Sequence, residues 1–169
     1  MQKEFWDQRY AEPGHAYGTQ PNVYLTTHRE LFQPGQRALV IGDGEGRNGV
    51  WLAEQGLHVT SVDYSATGLA KAQAMARNRN VSLITHCVDL AEWQWPENEF
   101  DYVVIIYVHF PPEVRAQLHQ AALHRQHPAG QFMPAEQVGL ELGAQHLAGQ
   151  VLHGTRLAVG AVVEQRIQG

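Results

Sequence analysis

Short runs rich in β-branched residues alternate with segments of helical periodicity through the middle of the chain. The runs at 38–41, 58–62, 81–85 and 102–106 predict strands, and the last of them is apolar throughout. Continuous apolar strands are typical of a parallel sheet that is covered on both faces. We therefore predict an α/β fold with a doubly wound, mainly parallel sheet and helices on both faces.

Helical periodicity predicts three helices around these strands. The first spans about 47–55, and the second runs from an N-cap at Ser65 to about Arg79, because a serine hydroxyl accepts a hydrogen bond from the first turn. A pair of prolines at 111–112 begins the third helix, which ends near residue 127. Proline fits the first turn of a helix because its missing N–H has no partner there.

The two ends of the chain differ from this central pattern. Residues 1–34 mix aromatic residues with turn formers and predict a short helix, a loop and a second helix near 23–31. Past residue 128 the chain has a single aromatic residue, Phe132, and only 160–167 resembles a last strand. The C-terminal strands of the sheet are therefore expected to be incomplete.

The length of 169 residues fits one domain with a core of its own. Within it we distinguish an N-terminal aromatic lid segment (1–34), a core (36–127) and an atypical C-terminal part (128–169). Nothing in the sequence defines an oligomeric state, so a monomer and a homodimer are both kept.

Composition excludes several classes of function. The chain carries a net charge of -5 and has only two lysines, Lys3 and Lys71, whereas binding to nucleic acid needs a basic face. No run approaches the roughly 20 apolar residues that cross a bilayer, and the N-terminus lacks the apolar run of a signal peptide. A single cysteine, Cys87, allows no intrachain disulfide. We therefore expect a cytoplasmic protein with no nucleic-acid or membrane partner.

The chemistry concentrates where the first strand ends. Residues 42–46, with the sequence GDGEG, follow that strand and open a helix. Glycines at Gly42, Gly44 and Gly46 allow a tight turn and let a nucleotide ligand approach the backbone. The loop predicts a ligand site, in which Asp43 also takes part, and a plain strand-to-helix turn is the alternative.

Two acidic residues support a nucleoside ligand. Asp63 lies 21 residues after Gly42 at the end of the second strand, where a carboxylate can accept hydrogen bonds from both ribose hydroxyls. Asp89 follows the third strand and could accept from an adenine amino group. Each has a structural alternative, since Asp63 could cap the helix after Ser65 and Asp89 could cap a turn.

The spacing of the glycines distinguishes two cofactors. When the dinucleotide pattern G-x-G-x-x-G is aligned on Gly42, its third glycine position is occupied by Arg47. A small residue is needed there for close packing around a pyrophosphate, so Arg47 argues against NAD. The form G-x-G-x-G instead suits the amino-acid part of S-adenosylmethionine. An NAD-dependent oxidoreductase is kept as the less favoured alternative.

The chain resembles class I S-adenosylmethionine-dependent methyltransferases, specifically the tellurite-resistance and thiopurine-methyltransferase-like group. The resemblance covers about residues 4–127. The stretches that carry it are 5–10 (FWDQRY), 17–22 (YGTQPN), 42–48 (GDGEGRN), 62–65 (VDYS), 89–90 (DL), 101–104 (DYVV) and 107–112 (YVHFPP). It implies a Rossmann-like fold, S-adenosyl-L-methionine as the cofactor, and transfer of a methyl group to a small-molecule acceptor such as a thiol or a chalcogen compound.

The resemblance also implies residues for the site. The glycine loop, Asp63 and Asp89 would bind the cofactor, and Tyr64 and Leu90 would flank its adenine. The N-terminal segment would fold over the cofactor and help to enclose the acceptor.

Aromatic residues of that segment are candidates for contact with the sulfonium. Trp6, Tyr10 and Tyr17 could offer cation–π faces to its positive charge, or simply pack the N-terminus. A thiol acceptor needs no strong base, whereas an oxygen or nitrogen acceptor does. His109, just past the fourth strand, is the best-placed candidate for that catalytic role. No metal site is expected.

The C-terminal part departs from the family pattern. Residues 127–132, HPAGQF, look like a degraded form of the family's turn into a fifth strand, and some of the connecting sequence that normally follows is missing. A deletion, a frameshift and true divergence each fit this change. A non-catalytic S-adenosylmethionine-binding protein with a degraded acceptor site is therefore a second alternative.

Overall fold

The computed structural model describes residues 3–94 and 99–108 and the backbone of three short strands in the C-terminal part. The helices are α1 (Lys3–Ala11), α2 (Val23–Thr27), α3 (Arg47–Glu54) and α4 (Ala66–Asn78), with a 3-10 helix at Arg29–Leu31. The strands are β1 (Arg37–Ile41), β2 (His58–Asp63), β3 (Ile84–Cys87), β4 (Tyr102–Ile105), β5 (Phe132–Met133), β6 (Val151–Leu152) and β7 (Arg156–Val159).

Five of the strands form one parallel sheet in the order β3-β2-β1-β4-β7. Because β1, β2 and β4 are parallel, their carboxyl ends meet at one edge of the sheet. The strand order reverses at β1, which lies between β2 and β4. Open α/β sheets bind ligands in the crevice that such a reversal leaves at the carboxyl edge. Strands β5 and β6 form a separate antiparallel pair. The predicted α/β class with a mainly parallel sheet is confirmed.

Alternate residues of the central strands face two separate cores. Ala38 and Val40 of β1 pack with α2, Phe32 and α3, while Leu39 and Ile41 pack on the opposite face. Side chains that follow β3 or flank β4 pack against that opposite face, namely Val88, Leu90, Trp93, Phe100 and Val108. Burial on both faces is why β4 and residues 38–41 of β1 are apolar.

The start of α4 is held by its predicted cap. The Ser65 hydroxyl accepts a hydrogen bond from the Gly68 N–H at 3.1 Å and donates one to the Asp7 carboxylate of α1 at 2.5 Å. Asp7 is in turn paired with Lys3 at 3.3 Å. The cap at Ser65 is confirmed, and it also attaches α1 to the core.

Two predicted elements differ from the structure. The third strand spans Ile84–Cys87 rather than 81–85, because Val81 packs against the end of α4 before the strand begins. The helix predicted near 23–31 is divided into α2 and the 3-10 helix. Cys87 is exposed because β3 lies at the sheet edge.

Other predictions concern the C-terminal part. A strand parallel to β4 lies at Arg156–Val159, ahead of the patch at 160–167, which lies outside the described residues, as does the helix expected at 111–127. Within the part of the chain that the structure describes, no helix is long and apolar enough to cross a membrane.

The first turn of α3 lies very close to α4. Gly46 caps α3 with a φ of 86°, and a Cβ at this position would lie 2.5 Å from the Cβ of Ala72 and 2.8 Å from its Cα. Any side chain would force the two helices apart, so glycine is required here for both conformation and packing.

We expect Gly46→Ala to lower the free energy of unfolding more than Gly35→Ala does. Gly35 has a similar φ of 83°, but a Cβ at that position would meet open space, with nothing within 4 Å. Both variants place alanine in left-handed backbone, which costs about 1–2 kcal/mol, and Gly46→Ala adds about 1–3 kcal/mol of overpacking. Urea unfolding measures both, and equal losses would contradict the contact with Ala72.

Candidate functional site

The glycine loop lies at the switch point of the sheet. Gly42, Gly44 and Gly46 all have left-handed backbone, with φ of 64°, 56° and 86°. The Gly42 N–H donates to the Val62 carbonyl of β2 at 2.8 Å, and a Cβ on Gly42 would lie 2.5 Å from Val108 beyond β4. The loop is therefore packed between the ends of β2 and β4.

Asp63 joins β2 to the loop. One carboxylate oxygen accepts from the Gly44 N–H at 2.8 Å and the other from the Ser65 N–H at 2.9 Å. The residue is only 7% exposed, and burial raises the pKa of its carboxyl while these backbone hydrogen bonds oppose the rise. The Tyr64 N–H is a third backbone donor to this carboxylate, and a carboxylate has about four acceptor sites, so capacity for a ligand remains.

Asp43, a predicted cofactor residue, is directed into the protein. Its carboxylate accepts from the Ser61 hydroxyl at 2.6 Å and from the Gly49 N–H at 3.1 Å. Burial raises the pKa of Asp43 to about 6, against an ordinary value of 3.8. The side chain thus links β2 to the first turn of α3 and supports the glycine loop from the interior of the protein.

Tyr10 of α1 packs directly on the loop. Its hydroxyl oxygen lies 2.5 Å from the position that a Cβ of Gly44 would take, and its ring lies 2.8 Å from the corresponding position at Gly68. The side chain is buried, and burial raises the pKa of its hydroxyl, so the group stays protonated. Trp6 stacks on Tyr10 with ring centroids 5.5 Å apart.

Glu45 and Lys71 connect the glycine loop, α4 and the chain before α2. The Glu45 carboxylate pairs with the Lys71 ammonium at 2.9 Å and accepts from the Ala16 N–H at 2.7 Å. Lys71 also donates to the carbonyls of Glu12 and Gly14, each at 2.8 Å. These contacts could not be predicted from the sequence, because the main-chain groups that take part in them are carried by every residue.

Further hydrogen bonds hold residues 19–22. The Asn48 side chain accepts from the Asn22 N–H at 2.8 Å, and Arg79 donates to the Thr19 carbonyl at 2.7 Å. Residues 3–22 are the part of the predicted lid segment that precedes α2, and we call them the N-terminal segment from here on. They are therefore attached to the glycine loop, α3 and α4 along most of their length.

A pocket opens between this segment and the glycine loop, with about 420 Å³ of space that is continuous with solvent. Residues from the N-terminal segment, the loop, α3 and the end of β4 line it. They are Tyr10, Tyr17, Gly18, Gly42, Asp43, Glu45, Arg47, Asn48 and Ile106. Of the predicted aromatic residues, Tyr10 and Tyr17 line this pocket, and Trp6 is placed behind them against Tyr10.

The predicted adenine residues follow β2 and β3 at the carboxyl edge of the sheet. Hydrogen bonding to Asp89 raises the pKa of the Tyr64 hydroxyl, so these two side chains are in contact. Asp89 is exposed and also accepts from the Ala91 N–H at 2.9 Å, which is the turn-capping role. Leu90 packs under the sheet with Val62. His109 lies outside the described residues.

Comparison with known families identifies this arrangement. Residues 38–130 match the model of a methyltransferase domain, and this range is more than half of the chain. The chain belongs to the methyltransferase domain family. This confirms the predicted methyltransferase at the level of the family. No curated protein matches the sequence.

Solved methyltransferase structures share the fold. The domain superimposes on phosphoethanolamine N-methyltransferase 1 of Haemonchus contortus, in complex with phosphoethanolamine and S-adenosylhomocysteine, with a TM-score of 0.62 and 21% identity over 78% of this chain and 30% of that one. A Geobacter sulfurreducens S-adenosylmethionine-dependent methyltransferase in complex with S-adenosylhomocysteine gives a TM-score of 0.57 and 18% identity, over 79% and 57%.

A third structure concerns the conversion of a disulfide bond into a thioacetal group during echinomycin biosynthesis. It has a TM-score of 0.58 and 24% identity, and the match covers 79% of this chain and 61% of that chain. This methyltransferase domain thus spans 30% to 61% of the lengths of these three structural relatives. Within the described ranges of the chain, no group of three or more His, Cys, Asp or Glu side chains could hold a metal ion.

We expect the stability of the domain to depend on pH through Asp43. Since its pKa is raised from 3.8 to about 6, the protonated form favours the folded state. That contribution is complete below pH 3.8 and is lost as the pH rises through 6, up to about 3 kcal/mol in all.

Urea unfolding of the wild-type protein and Asp43→Asn from pH 4 to pH 8 measures this effect. The amide cannot ionise, so the free energy of unfolding of the wild type should fall relative to that of the variant across the interval. A difference that is constant with pH would show that the pKa of Asp43 is not raised.

Proposed function

We propose that the protein is a class I S-adenosylmethionine-dependent methyltransferase that transfers a methyl group to a small acceptor. The observation that carries the proposal is the link between Asp63 and the glycine loop. Asp63 accepts the Gly44 N–H at 2.8 Å, which brings a ribose-binding carboxylate next to the backbone that a nucleoside cofactor must approach. Both parts lie at the switch point of the sheet.

The residues present fit S-adenosylmethionine. Asp63 retains acceptor capacity for the ribose hydroxyls, and Tyr64, Asp89 and Leu90 lie next to it along the edge where the adenine would bind. The pocket between the loop and Tyr17 would receive the methionine part. Two relatives of the same fold were determined in complex with S-adenosylhomocysteine, which supports this assignment.

The cofactor supplies the reactive group, an electrophilic methyl on a sulfonium. The task of the chain is then to orient the reactants and exclude water. Tyr10 closes one side of the pocket with a ring that is held between Gly44 and Gly68. Tyr17 is 54% exposed and lies at the pocket mouth, so its ring is available to a cation or an acceptor.

The acceptor that we favour is a small thiol or chalcogen compound. This choice rests on the resemblance to the tellurite-resistance and thiopurine-methyltransferase-like group. A soft nucleophile of this kind needs no strong base, and within the described part of the pocket lining no histidine is present. For an oxygen or nitrogen acceptor we propose His109 as the catalytic base.

A non-catalytic S-adenosylmethionine-binding protein is the second candidate. The observation that favours it is the departure of residues 127–132 from the family pattern of a turn into a fifth strand. Binding of the cofactor without turnover would identify this case. An NAD-dependent oxidoreductase is disfavoured by Arg47 at the third glycine position of the dinucleotide pattern.

We expect the purified protein to bind S-adenosylhomocysteine in a calorimetric titration and not to bind NAD. Asp63→Asn removes the charge and one acceptor from the ribose site, so it should weaken binding by about 5- to 150-fold, corresponding to about 1–3 kcal/mol.

Asp101→Asn is the matched control. Asp101 also accepts a backbone N–H, from Arg37 at 2.8 Å, but it lies at the opposite, amino end of the sheet. The affinity of the Asp101→Asn protein for S-adenosylhomocysteine should equal that of the wild-type protein. Tight binding of NAD with none of S-adenosylhomocysteine would overturn the proposed cofactor.

We also expect release of S-adenosylhomocysteine when the protein is incubated with S-adenosylmethionine and a small thiol. A thiol ionises more readily than an alcohol of the same size, so the alcohol should give much slower turnover without a base. Chromatographic detection of S-adenosylhomocysteine measures both reactions. Binding of the cofactor with no turnover for any thiol or chalcogen oxyanion would favour the non-catalytic alternative.

A further inference from the structure

We propose that Lys71 is a positioning residue of the cofactor site, because its ammonium holds the N-terminal segment over the glycine loop. The proposal rests on the function proposed above. Lys71 is in α4 and lies outside the motifs that indicated the cofactor, so neither the loop pattern nor the acidic residues assigned it a role.

The Lys71 ammonium joins three parts of the chain at one point. It donates to the carbonyl of Glu12 at 2.8 Å, to that of Gly14 at 2.8 Å and to the Glu45 carboxylate at 2.9 Å. An ammonium has three N–H donors, and these three acceptors use all of them. The first two belong to the N-terminal segment and the third belongs to the glycine loop.

Glu45 completes the connection from the side of the loop. Its side chain is 5% exposed, against 25% for that of Lys71, and its second oxygen accepts from the Ala16 N–H at 2.7 Å. A carboxylate this buried requires a charged partner and further hydrogen bonds. Lys71 supplies the charge and the Ala16 N–H supplies a further hydrogen bond. The position of residues 12–16 is therefore coupled to the charge of Glu45 in the loop.

This connection controls one wall of the pocket. Tyr17 and Gly18 follow Ala16 directly, and both line the pocket together with Glu45. The α1 end of the segment is held separately through Asp7, and the far end is held at Asn22. Within the described residues, the hydrogen bonds that tie 12–16 to the core all end on Lys71 or Glu45.

Loss of Lys71 should therefore release residues 12–18 while both ends of the segment remain attached. The closed arrangement of the pocket would become one of several conformations. Affinity for a ligand falls in proportion to the population of the conformation that binds it. If the closed form falls to about one tenth of molecules, the Kd rises about tenfold.

The test compares Lys71→Met with Lys3→Met in the full chain. Lys3 is the matched control because it is the other lysine, belongs to the same segment and pairs with Asp7 at the surface. We expect the Kd for S-adenosylhomocysteine, measured by calorimetry, to rise about tenfold or more in Lys71→Met and to stay unchanged in Lys3→Met.

Hydrogen exchange of the ligand-free proteins gives a readout that does not depend on the cofactor. The peptide that covers residues 12–18 should exchange faster in Lys71→Met, and peptides from β1 and β4 should be unchanged. Lys71→Arg keeps the charge beside Glu45, but its planar guanidinium cannot direct donors to the same three acceptors. Lys71→Arg should fold and give intermediate values for both measurements. It therefore keeps the proposal testable if Lys71→Met does not fold.

Unchanged exchange at 12–18 in Lys71→Arg and Lys71→Met would overturn the positioning role. A faster exchange with an unchanged Kd would also overturn it, because the segment would then have no effect on the site. If the wild-type protein binds no S-adenosylhomocysteine, the proposed function fails. Hydrogen exchange alone then decides whether Lys71 holds the segment.

Discussion

Two buried carboxylates satisfy the backbone at the carboxyl edge of the sheet, and the geometry of the site depends on them. Asp63 accepts the Gly44 N–H, and Asp43 accepts the Gly49 N–H together with the Ser61 hydroxyl. A buried N–H without a partner costs about as much as a lost hydrogen bond. These bonds fix the glycine loop relative to β2, so the loop is already formed before a ligand arrives.

The N-terminal segment is built on that fixed loop. Tyr10 fits over Gly44 because the glycine has no side chain, and Glu45 offers its two oxygens to Lys71 and Ala16. The enclosing wall of the pocket is therefore connected to the loop that forms its floor. Under the proposed function this connection would orient the cofactor and limit the access of water, which is the main contribution of a protein to an in-line transfer.

Much of the fold could be predicted from the sequence because strong local signals agreed with it. The apolar runs in β1 and β4 reflect burial on both faces, and Ser65 caps α4 as its position indicated. The third strand was placed too early because β3 is an exposed edge strand. Ile84 is 61% exposed. The apolar residue Val81 packs against α4 and does not belong to the strand.

The site was predicted only in part. Gly42, Gly44, Gly46 and Asp63 were found because their spacing follows from a strand–loop–helix unit, and they do lie together. The role of Asp43 as a buried support depends on Ser61, 18 positions away. The contacts of Lys71 with residues 12–16 involve main-chain carbonyls, which every residue carries. Such contacts depend on tertiary packing and leave no pattern in the sequence.

We propose that the glycine loop, Asp63 and the N-terminal segment form one site for S-adenosylmethionine. A crystal structure of the chain with S-adenosylhomocysteine would test this arrangement. We expect ribose hydroxyls within hydrogen-bond distance of Asp63, and the amino-acid part of the ligand between the loop and Tyr17. A ligand bound elsewhere, or a ribose that makes no contact with Asp63, would contradict it.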